Sequence, residues 1–322
     1  MRIRIHCLAL LVVAGALLPA TASAQADFSG VWQPRYHEDQ PERIPGPELR
    51  DYAGLPINEN ARQFADSWDP SRITLPEEQC RVHVSPYIYR GPMNLQVWEE
   101  RDPKTRDLIA LKHYISTYEQ TRMIYMDGRP HPGPNAPHTW MGFSTGHYEG
   151  DMLVIETTHL KQGWVRRNGL PMSDEARMTE YWIRNGDLAT QIEIVVDPVF
   201  LAEPLVKSQD FVRGTRELAA QTWLWVCEPV IEVPRAEGEV PAYLPGEHPF
   251  KDEFARRHGV PLIATDGGPE TMYPEFQKVL ESAPKPAPLP PPPGRAGRES
   301  GAAAPPAGGG RAGGAGNQQG GR

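Results

Sequence analysis

The sequence predicts a mainly β chain, an antiparallel meander closing on itself as an up-and-down barrel or a strongly curved sheet, with a few short peripheral helices. Three observations lead there. From Asn94 onward the chain breaks into short runs rich in β-branched and aromatic residues, and turn signals such as Asp127-Gly128, Glu149-Gly150-Asp151 and Asn185-Gly186-Asp187 separate them. Long helical periodicity is almost absent. A meander of nine or ten strands leaves two unpaired edges unless it closes, and closure removes them.

Asp27-Phe28-Ser29-Gly30-Val31-Trp32 opens the body with a G-x-W element and a first strand. Residues 27–93 then read as an extended, proline-rich wrapping segment with one short helix around Asn58 to Trp68. The meander core occupies 94–228, with strands expected at Leu95–Glu99, Leu108–Thr117, Thr121–Met126, Phe143–His147, Met152–Thr158, Arg177–Ile183, Leu188–Val196, Val206–Val212 and Thr222–Cys227. Residues 229–282 read as loop with two short helices, Asp252–His258 closed by Gly259, and Met272–Leu280.

The two ends differ from this body. Arg2 and Arg4, the apolar run Cys7–Leu18 and Ala22-Ser23-Ala24 read as a secretory signal peptide over residues 1–24, cleaved near Ala24. The expected location is therefore periplasmic or secreted. The apolar run is shorter than a spanning helix requires, so no membrane span is expected. Residues 283–322 hold nine prolines and eleven glycines with no aromatic side chain, a composition that predicts a disordered tail. Between them, 25–282 reads as a single β-rich domain.

Charge excludes one partner class. The chain carries −8 overall, and the basic signal and tail leave about −14 on the body, which repels phosphate backbones. No nucleic-acid partner is expected. Cys80 and Cys227 stand outside the signal and lack C-x-x-C spacing; in an oxidising compartment the pair is expected to form a disulfide.

Gly142-Phe143-Ser144-Thr145-Gly146 spells the G-x-S-x-G of a hydrolase nucleophile elbow, but that motif needs a strand-to-helix turn. Here Pro132–His138 is loop, and a hairpin follows through Glu149-Gly150. The glycines then share one face with Ser144, Leu153, Ile155 and Thr157, clearing volume for packing or for a ligand. Trp140, Gly142, Ser144 and Gly146 are the candidate ligand-lining residues. Titratable groups crowd the same region, and Asp127, His131, His147 and Glu156 are the candidate acids and bases. The histidine spacing matches no short chelating motif, so neither metal nor cofactor is expected. Trp182, Trp223, Trp225, Tyr181 and Phe211 in the later strands would form a core, or would line a pocket if the barrel were hollow.

The runs Ile124-Tyr125-Met126-Asp127-Gly128-Arg129-Pro130-His131 and Trp140-Met141-Gly142-Phe143-Ser144-Thr145-Gly146-His147-Tyr148-Glu149-Gly150-Asp151-Met152-Leu153-Val154-Ile155-Glu156-Thr157 resemble the signature IYxDGRxH…WxGxSxGxWEGDTLVVET. That signature marks a large uncharacterised family of exported bacterial proteins. Looser agreement at Asp197-Pro198, Cys227 and Gly267–Glu275 extends the resemblance over most of the body from Gly91. It implies that the block is one structural unit and that Ser144 belongs to a β-hairpin signature. This chain departs from it at Tyr148, where the family has tryptophan, and at Glu228-Pro229-Val230 after Cys227. The G-x-W start is similar to that of lipocalin-type barrels, which hold small apolar molecules in a central cavity.

These readings lead to an exported soluble barrel that binds a small apolar or mixed ligand in a barrel pocket. The alternative is a secreted enzyme of hydrolase, isomerase or cyclase type that uses the clustered Asp, His and Glu as acid and base. The sequence sets neither ligand identity nor oligomeric state.

Overall fold

The computed structural model describes residues 25–35 and 47–290, excepting positions 70, 73, 74, 76, 77, 79, 80, 91–94, 167, 215–235 and 245. The expected signal peptide, the Cys80–Cys227 disulfide, the strand at Thr222–Cys227 and residues 291–322 of the tail lie outside the described residues.

Nine strands close into a barrel: β1 (Gly30–Pro34), β2 (Leu95–Arg101), β3 (Leu108–Ile115), β4 (Gln120–Tyr125), β5 (Phe143–Glu149), β6 (Met152–Thr158), β9 (Arg177–Asn185), β10 (Leu188–Val196) and β11 (Leu205–Arg213). The short strands β7 (Gly163–Trp164) and β8 (Pro171–Met172) form a separate ribbon. Around the ring the order is β1-β11-β10-β9-β6-β5-β4-β3-β2. Closure does not need the strand expected at 222–227, because β1 itself bridges β11 and β2, with Trp32 opposite Arg213 on one side and Leu95 on the other.

One pair departs from the expected all-antiparallel meander. β4 and β5 run parallel, with Ile124 beside Ser144 and Tyr125 beside Thr145. A ring with an odd number of strands cannot alternate direction all the way round, so at least one neighbouring pair must be parallel. Parallel neighbours cannot be joined by a two-residue hairpin. Residues 126–142 therefore travel back along the barrel as an irregular crossover, and the DGRxH half of the signature lies in it.

The hairpins follow their turns. In β5–β6, Glu149 faces Met152 and in β9–β10, Asn185 faces Leu188, so the central turn residues are Gly150-Asp151 and Gly186-Asp187. Each glycine takes positive φ, +68° and +61°, as the first central position of a II′ turn requires. The β5–β6 turn thus sits one residue later than Glu149-Gly150. The shift changes the register by two, so Ser144 pairs with Thr157 and every side chain keeps its predicted face.

Inward side chains are layered. Along β9 they read Met178, Glu180, Trp182; along β10 Val195, Glu193 and Gln191, Ala189; along β11 Leu205, Lys207 and Gln209, Phe211. An apolar layer around Phe28, Trp32, Leu95, Leu153, Trp182 and Phe211 closes one end, and Trp182 stacks on Phe211 at 5.4 Å. At the other end Met178, Val195 and Leu205 join a second cluster with Tyr52, Leu55, Ile57, Ala61, Ala65 and Phe200. That cluster is supplied by the wrapping segment and by α1 (Glu59–Asp66), whose N-cap Asn58 accepts from Ala61 N. Buried Arg50 ties Asp66 of α1 to Asp266, at 2.7 and 2.6 Å, and Gly268 N donates to Leu55 O. This docks the Gly267–Glu275 stretch onto the wrapping segment. The late helices α3 (Glu253–His258, ended by Gly259 at φ +63°) and α4 (Pro274–Ser282) lie where expected.

Between the two apolar layers lies a polar one. It is stoppered by α2 (Ser85–Ile88) and the following Tyr89, whose carbonyl accepts from Gln209 and whose ring meets Trp182 at 6.0 Å.

Candidate ligand site

Ser144 belongs to that polar layer. Arg122, from β4, donates Nε–H to Ser144 Oγ (3.0 Å), Nη1 to Tyr89 Oη (3.1 Å) and Glu180 Oε1 (3.1 Å), and Nη2 to Thr157 Oγ1 (2.7 Å) and Glu180 Oε2. All five guanidinium donors are used, which is the condition for burying such a group. Glu180 also accepts from Gln191 at 2.7 Å and Trp182 at 3.3 Å. Ser144 and Thr157 share a hydroxyl hydrogen bond of 2.9 Å. The serine has no histidine partner and no solvent contact.

The space beside the two glycines is taken. A Cβ on Gly142 would meet Thr157 Cγ2 and Thr158 O at 2.7 Å, and one on Gly146 would meet Met126 Sδ at 2.7 Å. Trp140 faces elsewhere, flanked by Arg81 at 5.3 Å and Lys161 at 5.1 Å. So the four residues expected to line a pocket pack against protein instead, because the crossover and the Arg122 network fill both sides of β5.

The acid and base candidates separate. Asp127 binds Arg129 across the D-G-R turn, which holds its carboxyl below the ordinary carboxylate value, and Arg129 lies 3.9 Å from the Tyr125 ring. Tyr125 stacks on Phe143 at 5.2 Å, so this half of the signature clamps the crossover to the outer wall. His147 is exposed near the hairpin turn, 3.3 Å from Glu149. Only His131 and Glu156 come to one place, a cleft of about 940 Å³ outside the barrel, between the crossover, β6, the head of β9 and the end of β10.

A chain of hydrogen bonds crosses this cleft. Gly133 O can only accept, so His159 donates from Nε2 (2.9 Å), and its Nδ1 is hydrogen-bonded to Thr158 Oγ1 (2.8 Å). Thr158 Oγ1 is also hydrogen-bonded to His131 Nδ1 (2.7 Å), and His131 Nε2 to Thr145 Oγ1 (2.8 Å). Burial holds His131 below the ordinary imidazole value; Glu156 opposes the shift, while His159 and Arg177 reinforce it. His138, which also lines the cleft, donates Nδ1–H to Leu160 O (2.9 Å). His159 takes positive φ (+57°), and its carbonyl accepts from Thr139 N, fastening the crossover to the end of β6.

Asp174, Glu175 and Arg177 complete the charged lining. Sequence reasoning passed them over because a polar stretch before a strand reads as turn chemistry. Pro132, Pro134, Val196 and Pro198 give the cleft apolar wall, and Thr157, Thr158 and Thr179 line it as well. Imidazole and carboxylate together allow either polar recognition or acid–base work, and no group of three ligands able to hold a metal occurs among the described residues. No family model, no curated protein and no solved structure matches this chain.

Proposed function

We propose that this protein binds a small ligand of mixed polarity, and that the ligand lodges in the outer cleft and not in the barrel interior. The carrying observation is the contrast between the two spaces. The interior is crossed by a fully satisfied Arg122–Glu180 network between apolar layers, whereas the cleft offers about 940 Å³ with apolar walls and convergent polar groups, in the size range of small-molecule sites. The signature residues support the reading, since Asp127, Arg129, His131 and Phe143 all serve to hold the crossover that forms one wall. The N-terminal sequence supports placement in the periplasm or outside the cell, which N-terminal sequencing of the mature protein checks.

Native mass spectrometry of protein purified from its own cells tests the binding. A small organic molecule should ride with the wild-type chain and be lost from Val196→Trp, which fills the cleft from an exposed rim position. Equal occupancy in that variant would move the site elsewhere.

A second reading, acid–base catalysis in the same cleft, is favoured by one observation. His138, anchored through Nδ1, lines the same cleft as Glu156.

A further inference from the structure

The lining of the cleft is unbalanced in charge. Glu156, Asp174 and Glu175 are exposed carboxylates at the cleft, and none has an ion-pair or side-chain hydrogen-bond partner among the described residues. Several carboxylates elsewhere are answered locally: Glu59 by Arg62, Glu99 by Arg101, Asp127 by Arg129 and Glu253 by Arg257. Against the three stands one guanidinium, Arg177. The imidazoles do not redress the balance. His131 is held toward its neutral form, and the ring nitrogens of His131 and His159 are taken up within the Thr145–His131–Thr158–His159–Gly133 chain. His138 spends its Nδ1–H on Leu160 O.

The cleft therefore presents mostly acceptors and negative charge, set among the apolar surfaces of Pro132, Pro134, Val196 and Pro198. A metal ion would need three of these groups to converge, and no such group occurs among the described residues. An anion would face three carboxylates. Building on the cleft reading above, we infer that the ligand is an organic cation, a protonated amine carried on an apolar ring or chain. The ammonium meets the carboxylates, and the apolar body lies on the prolines and Val196. Arg177 then serves an acceptor elsewhere on the same molecule.

The test is a ¹H–¹⁵N NMR titration of the full chain with tryptamine and, separately, indole-3-propionate, which share a ring and differ in the sign of the charge. Tryptamine should shift amides around Glu156 and Ala176, bind about tenfold more tightly than the propionate, and weaken as salt is added, because exposed charge pairs are screened. Glu156→Gln/Asp174→Asn/Glu175→Gln, all surface changes, should erase the preference while both indoles still shift the cleft. Equal or reversed preference with shifts still at the cleft overturns the cation class and leaves the cleft reading standing. Shifts only elsewhere, or none with either compound, overturn both.

Discussion

Arg122 and Glu180 form an ion pair inside the barrel with neither side chain exposed at all. A charge this deep is tolerated only while its partner remains. Glu180→Gln should destabilise by about 3–5 kcal/mol, whereas Arg122→Met combined with Glu180→Leu should recover most of that loss. Urea denaturation midpoints measure both, and an unmoved midpoint in the single variant would contradict the network.

Ser144 serves Arg122 and not a substrate. A fluorophosphonate probe should leave it unmodified, read by peptide mass spectrometry; an adduct there would restore the nucleophile reading. Ser144→Ala strands the Nε–H of a buried guanidinium and should cost about 1–3 kcal/mol.

The two glycines flanking that serine should respond unequally to alanine. Gly142 sits at φ +67° with backbone 2.7 Å from a new Cβ, so Gly142→Ala combines strain with overlap and should lose about 2–4 kcal/mol. At Gly146 the nearest atom is the flexible Met126 Sδ, and about 1 kcal/mol is expected. Melting curves of the two variants decide the order.

Acid should unfold the protein through its neutral histidines. His113 is buried, with Nδ1 taking the Tyr89 hydroxyl at 2.8 Å; burial, and then Arg122, push its pKa well below the ordinary 6.5. His131 is lowered too. For groups whose folded pKa lies beneath the unfolded one, stability is complete above about pH 6.5 and declines as pH falls through that value toward the folded pKa. Stability measured from pH 8 to 5 should fall in that direction, and His113→Phe should flatten the curve.

Much of the barrel was legible because most neighbours are joined by short turns. β6 and β10 begin and end where the alternation of Met152–Thr158 and Leu188–Val196 places them, and Gly259 ends α3 as its position before Val260 implies. The β4–β5 pairing was not legible, since residues 126–142 contain no periodic segment and parallel neighbours leave no local mark. The site was hidden for the same reason. His131 and Glu156 lie in one crowded stretch, but what makes a cleft of them is the head of β9, brought alongside by the pairing of Glu156 with Thr179. Ser144 misled because its partner Arg122 lies 22 positions earlier, across the parallel seam.

The seam at the far side of the ring has its own consequence for how the molecule comes into being. Trp32 on β1 lies opposite Arg213 on β11, so the cylinder stays open until β11 has been synthesised. A nascent chain, or one truncated before β11, carries β1 with one unsatisfied edge and cannot shield it. The same seam makes β11 a checkpoint: only a chain that has delivered Arg213 to Trp32 has closed the ring.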